Sequence, residues 1–205
     1  MTSPDHRHIA IVLDRSGSMQ TVKTDTEGGL TAFLDAQTEA PGETTVSLYQ
    51  FDDRYEAVYE NRALADVPAY TLQPRGATAL YDAVGRTINA VGNHLAATPE
   101  TDRPGEVIVV ILTDGHENAS REFTGDNVKS AITRQQDKYG WKFVFLGADQ
   151  DAFEAGGSMG IAPGQTLSYA SSNTQQSMTA AGHMVARGTQ SGVYAFTDAE
   201  RNATA

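Results

Sequence analysis

Two unbroken apolar runs set the frame of the chain. Ile9-Ala-Ile-Val-Leu13 stops at Asp14, and Val107-Ile-Val-Val-Ile-Leu112 stops at Thr113-Asp114. Runs of this length bounded by turns read as strands buried on both faces, the pattern of a parallel sheet. Thr45-Val-Ser-Leu-Tyr-Gln-Phe51 alternates and is rich in β-branched and aromatic residues, so it predicts another strand. Asp52-Asp53 makes a turn, and Tyr55–Tyr59 returns as an antiparallel hairpin strand at the sheet edge. Residues 141–146 and 166–169 complete the strands.

Helical spacing fills the gaps. Val22, Leu30, Phe33 and Leu34 share one face of a helix over 19–37, which Pro41-Gly42 closes. Leu80, Val84, Ile88, Val91 and Leu95 mark a second helix, from Ala79 to about Ala97. Further helices are predicted over 126–139, 151–158 and 173–187. Strands alternating with helices, plus one hairpin, give an α/β fold: a Rossmann-like three-layer sandwich. Its central sheet is mostly parallel, with one antiparallel edge strand and helices on both faces. Residues 1–187 form a single domain, and 188–205 are left as a C-terminal tail that can pack on it. Right-handed crossovers carry the ends of both apolar runs to one edge of the sheet. Asp14 and Asp114 should therefore meet, and ligands of open α/β sheets bind at such an edge.

Around Asp14 the text is Asp14-Arg-Ser16-Gly-Ser18, one carboxylate and two hydroxyls at alternate positions. By itself the triplet also reads as a helix N-cap, with Asp14 capping and the serines in the first turn. Thr78, in Gly76-Ala-Thr78, is expected at the N-cap of the second helix, facing the same crevice. Asp14, Ser16, Ser18, Thr78 and Asp114 together make an oxygen donor set. Such a set suits a hard divalent cation, Mg²⁺ first and Mn²⁺ or Ca²⁺ next, and the cation would offset two carboxylates that otherwise repel.

Composition narrows the alternatives. The 205 residues include no Cys, which excludes disulfides, zinc–thiolate sites and thiol nucleophiles. A net charge of −11 argues against nucleic acid or an anionic membrane as partner. The N-terminus has no apolar signal segment and no stretch reaches a membrane span, so a cytoplasmic location is expected. A phosphoryl-accepting aspartate needs a second acid two residues on, where this chain has Ser16. Neither serine sits in a Gly-x-Ser-x-Gly elbow, and no phosphate-binding Gly-Lys-Ser/Thr loop exists. Arg15 and His116 are candidate rim contacts beside the donor set. His116 reads first as a solvated loop residue, and Asp52 as turn chemistry. Asp82 reads as a favourable charge in the first turn of its helix.

Asp14-Arg-Ser16-Gly-Ser18, then Gly76-Ala-Thr78, then Leu112-Thr-Asp114-Gly resembles the metal-ion-dependent adhesion site of the von Willebrand factor type A family. All five positions carry the family's residue types. The resemblance covers residues 6–147 closely and 148–187 loosely. Arg75–Asp82 and Thr113–Asn118 are similar to small single-domain bacterial and phage members. It implies a non-enzymatic module whose metal takes an Asp or Glu side chain of a protein partner. Two other functions compete: a metal-assisted hydrolase with His116 as the nearby base, and a structural component of a larger assembly in which the metal locks the fold.

Overall fold

The structure, a computed structural model, describes residues 2–149 and 151–204. Met1 and Ala205, the outer bounds of the expected domain and tail, lie outside the described residues. Among the described residues six strands form one sheet: β1 (Ser3–Asp14), β2 (Glu43–Phe51), β3 (Tyr55–Ala63), β4 (Pro104–Thr113), β5 (Lys142–Ala148) and β6 (Thr166–Tyr169). Their order is β3-β2-β1-β4-β5-β6. Every pair is parallel except β2–β3, the edge hairpin predicted from the sequence.

Among the described residues six α-helices cover it: α1 (Lys23–Gln37), α2 (Leu80–Ala97), α3 (Gly125–Tyr139), α4 (Ala152–Ser158), α5 (Thr174–Ser191) and α6 (Asp198–Thr204). The alternation of side chains along β1 sorts the core into two layers. Ile9, Ile11 and Leu13 pack with Leu30 and Phe33 of α1 and with Met178, Ala181 and Val185 of α5. Ala10 and Val12 face the other way, onto Val84 and Ile88 of α2 and Val128 and Ile132 of α3. Both apolar runs are buried because each of their faces meets a helix layer.

Among the boundaries that differ from expectation, three bear on the layers around the sheet. The first helix starts later, since Gly17–Val22 winds as a tight 3-10 turn before α1 begins. The hairpin strand continues to Ala63, with an irregular register around Leu48 and with Asn61 at φ 51°. The last long helix runs on to Ser191 and stops where Gly192 adopts φ 72°, a left-handed cap that glycine takes without steric cost. Beyond it α6 lies against α5 and β6. Arg187 reaches Glu200 at 2.8 Å, and Arg201 donates to the Thr166 carbonyl at 2.7 Å. No helix among the described residues is long and apolar enough to cross a membrane.

The topology positions the site. From β1 the chain moves one way to β2, whereas β4 lies on the other side of β1. The carboxyl ends of β1 and β4, adjacent at Leu13 and Leu112, are therefore the switch point of the sheet, where the loops diverge and leave a crevice.

Candidate metal centre

Asp14 closes β1 with no exposed surface. One carboxylate oxygen accepts the Ser16 N–H at 2.6 Å, and the other accepts the Thr113 hydroxyl at 2.6 Å. The side chain is thus fixed from its own loop and from the neighbouring strand. It is not a helix N-cap: the 3-10 turn that follows has Ser16 at its cap position and no side-chain cap bond. Ser16 Oγ lies 3.1 Å from Ser18 Oγ, and Ser18 Oγ donates to an Asp114 oxygen at 2.7 Å. Four of the five predicted donors therefore form one connected string across the β1/β4 crevice.

Thr78 is the fifth. It is buried and precedes the helix cap, which is Ala79, not Thr78 as the sequence suggested. Its position shows in the contacts around Gly115. A Cβ built on Gly115 would stand 3.0 Å from Thr78 Oγ1 and 3.9 Å from Ser18 Oγ, so both hydroxyls border the same point. A glycine after Asp114 is what lets these loops approach so closely.

Burial governs the electrostatics. It pushes the Asp14 carboxyl up from 3.8 to about 6, with the nearby Asp114 adding a little, against the hydrogen bonds of Thr113 and Ser16. It also raises Asp114, where the Ser18 hydroxyl opposes the shift and the Asp149 carboxylate at the end of β5 reinforces it. Two carboxylates in one low-dielectric crevice call for a compensating positive charge. Among the described residues no three His, Cys, Asp or Glu side chains are grouped to hold a metal. The donor set here is of another kind, two carboxylates with three hydroxyls. All five are oxygen donors, so they fit a hard divalent cation.

The two rim residues separate. His116 is exposed and borders a surface groove with Tyr81, Glu117 and Glu154. Arg15, expected on the rim, turns inward. Its side chain is 5% exposed and pairs with Asp52 at 3.0 Å and Glu56 at 2.8 Å. Flanked by Asp14 and Ser16, it is drawn under the loop because the buried Asp52 carboxylate needs a cation.

Several residues that shape the site were not singled out, or were explained by local chemistry alone. Thr113 orients Asp14, and its only sequence signal is a hydroxyl at the end of a strand beside Asp114. The segment 117–123 clamps the start of α2. Asn118 Oδ1 accepts the Thr78 N–H at 2.9 Å, while the Asn118 N–H returns to the Thr78 carbonyl at 3.0 Å. Glu117 accepts the Tyr81 N–H at 2.9 Å, and Ser120 Oγ accepts that of Asp82 at 3.0 Å. These are orphan donors of a helix start, capped here from a distant loop. Asp82 is more than a charge in the first turn: it accepts the N–H groups of Arg121, Glu122 and Phe123 at 2.8 to 2.9 Å. Burial alone would raise its pKa, but those three donors hold it below the ordinary carboxylate range.

The family model of the von Willebrand factor type A domain matches residues 8–182. No curated protein matches the chain in sequence. Among solved structures, proximal thread matrix protein 1 from the mussel byssus is 17% identical with a TM-score of 0.63, covering 88% of this chain and 46% of that one. Another structure of that mussel protein, 16% identical with a TM-score of 0.59 and the same coverage, has a zinc-occupied MIDAS motif. The pilus adhesin SpaC from Lactobacillus rhamnosus GG is 14% identical with a TM-score of 0.61, covering 87% of this chain and 30% of that one. The chain spans less than half the length of these structures, and at such identities the likeness concerns the fold. With the family model spanning most of the sequence and the sheet order and helix layers in place, the chain belongs to the von Willebrand factor type A domain family.

Proposed function

We propose that this domain is a non-enzymatic, metal-dependent protein-interaction module. Asp14, Ser16, Ser18, Thr78 and Asp114 would hold one divalent cation, Mg²⁺ in the first place. The cation would take the carboxylate of an Asp or Glu on a protein partner. The observation that carries this reading is the string Asp14–Ser16–Ser18–Asp114, with Thr78 beside it across Gly115.

The chemistry follows from the donor types. Three of the five donors are uncharged hydroxyls, so the cation keeps much of its electrophilicity. An anionic oxygen is favoured over a neutral one at an open position, since charge-assisted contacts are the stronger kind. The net charge of −11 opposes an acidic partner at long range. Attraction is therefore short-ranged and depends on the ion, and moderate salt, which screens the repulsion, weakens binding little.

The hydrolase alternative needs a general base next to the ion. The Glu117 carboxylate is already engaged by the N–H groups of Tyr81, Ala119 and Ser120 and by the Ser120 hydroxyl. That leaves His116, on the exposed side of the loop. The structural-metal alternative needs a fold that depends on the ion, whereas both faces of the sheet carry their own apolar core.

Calorimetric titration with MgCl₂ and MnCl₂ at matched pH tests the site. One saturable site is expected, lost in Asp14→Ala and weakened in Thr78→Ala and Asp114→Ala. Unchanged binding in Asp14→Ala overturns the assignment. With a partner in hand, its acidic contact residues are replaced one at a time by the amide. Capture through a carboxylate is refuted if every such variant still binds in a Mg²⁺-dependent way.

A further inference from the structure

The turn between β2 and β3 supplies none of these donors, yet it grips both loops that do. The Asp52 side chain has no exposed surface. One of its oxygens lies 2.6 Å from Arg75 Nε and 3.0 Å from Arg15 Nε. The other accepts the Arg54 N–H at 2.6 Å, and the Asp52 carbonyl accepts the Ala79 N–H at 2.9 Å. Glu56, two residues into β3, takes the second nitrogen of each guanidinium, at 2.8 Å from Arg15 and 3.1 Å from Arg75. Arg75 meets Asp52 in an aligned hydrogen bond, whereas Arg15 makes close ion pairs without that alignment.

These two arginines lie in the two loops that matter. Arg15 sits between Asp14 and Ser16, and Arg75 is three residues before Thr78. The loop backbones are also tied to each other. The Arg75 N–H donates to the Arg15 carbonyl at 2.8 Å and the Gly17 N–H to the Gly76 carbonyl at 3.2 Å. Gly76, at φ 70°, presses on the same turn, where a Cβ would fall 2.5 Å from an Asp53 carboxylate oxygen. Two guanidiniums converge only because a buried anion lies between them. Burial alone would raise the Asp52 carboxyl. The Arg75 hydrogen bond, the Arg54 N–H and the charges of Arg15 and Arg75 outweigh burial and hold it below the ordinary carboxylate range.

On the metal-centre reading given above, we propose that Asp52 is a positioning residue for that centre: through Arg15 and Arg75 it sets the spacing between Ser16–Ser18 and Thr78, and with it the preference for Mg²⁺ over Ca²⁺. Mg²⁺ demands near-ideal octahedral geometry, whereas Ca²⁺ accepts irregular and larger shells. Loosening the clasp therefore costs Mg²⁺ more than Ca²⁺. A group that only stabilised the fold would not move that ratio.

The test uses the full chain with Asp52→Asn and Arg75→Gln. Arg75 is 47% exposed, so its replacement leaves a folded protein even if the buried Asp52→Asn change does not, and Arg75→Gln then decides alone. Calorimetric dissociation constants for MgCl₂ and CaCl₂ are compared, with circular dichroism recording the fold. Mg²⁺ binding is expected to weaken about tenfold or more, the scale on which groups orienting metal ligands act, and Ca²⁺ binding by less than about threefold. Arg75→Lys, which keeps the charge near Asp52, recovers part of the Mg²⁺ affinity. Equal losses for both ions, or unchanged constants in folded Arg75→Gln, overturn the positioning role while leaving the metal centre standing. A wild-type protein that binds neither ion overturns both.

Discussion

Asp14→Asn separates the electrostatic cost of the site from its geometry. In the metal-free protein the Asp14 carboxyl is raised from 3.8 to about 6, chiefly by burial. A carboxyl with a higher pKa in the folded than in the unfolded state binds more protons when folded. Stability then falls as the pH rises between those two values and stays reduced above them. A difference of roughly two pH units corresponds to about 3 kcal/mol of destabilisation at neutral pH. An amide at this position cannot ionise and still fits the hydrogen bonds. Its oxygen accepts the Ser16 N–H, and its nitrogen donates to Thr113 Oγ1, whose own proton turns to the Gly115 carbonyl 3.1 Å away. In chelator, Asp14→Asn should therefore be more stable than wild type by about 1–3 kcal/mol at pH 7, with the gap closing near pH 4. Saturating Mg²⁺ should reverse the order. It adds about 4.1 kcal/mol to wild type at a thousandfold excess over the dissociation constant and nothing to the variant. Urea unfolding followed by circular dichroism across about pH 4 to 8, with chelator and with MgCl₂, measures both effects. A variant less stable than wild type by the same amount at every pH would refute the reasoning, because it would mean that packing rather than ionisation sets the cost.

Chelator should leave the far-ultraviolet circular dichroism of the wild type unchanged, because both layers of the core are apolar and complete; loss of secondary structure there would favour the structural-metal alternative. Asp82→Ala should strand the N–H groups of residues 121–123 and destabilise by on the order of 3 kcal/mol, read as faster amide exchange in that segment. Since the Asp82 pKa is depressed on folding, its contribution is present above the unfolded value near 3.8 and lost as the pH falls through the folded one. Wild type and Asp82→Ala should therefore converge in strong acid, and a gap that persists there counts against this account. Gly182→Ala places a Cβ 2.9 Å from Phe33 Cα where α5 crosses α1, and should lower stability by about 1–3 kcal/mol in a thermal melt without changing the Mg²⁺ dissociation constant.

Much of this protein was legible in its sequence, because the signals were local and periodic. The runs ending at Asp14 and Asp114 announce strands buried on both faces, and parallel strands in a right-handed fold bring their carboxyl ends to one edge. The five candidate oxygen donors are read from spacing and from that topology. What the sequence could not determine is where charges find partners. Arg15 read as a rim residue because a loop arginine is ordinarily solvated. It is buried because the β2–β3 hairpin brings over the fully buried carboxylate of Asp52, with the exposed Glu56 beside it. Asp82 read as a helix-start charge, a rule satisfied by its first-turn position alone. Its three N–H partners lie 39 to 41 residues away and come within reach only once the loop after β4 folds over α2. Thr78 missed the cap position by one residue, since Glu117 and Ser120 cap that helix from outside it. Periodicity and spacing determine strands, helices and the ends that meet. Hydrogen bonds and ion pairs between distant segments are decided only by the tertiary structure, because their strength depends on burial and contact that no local window of sequence contains.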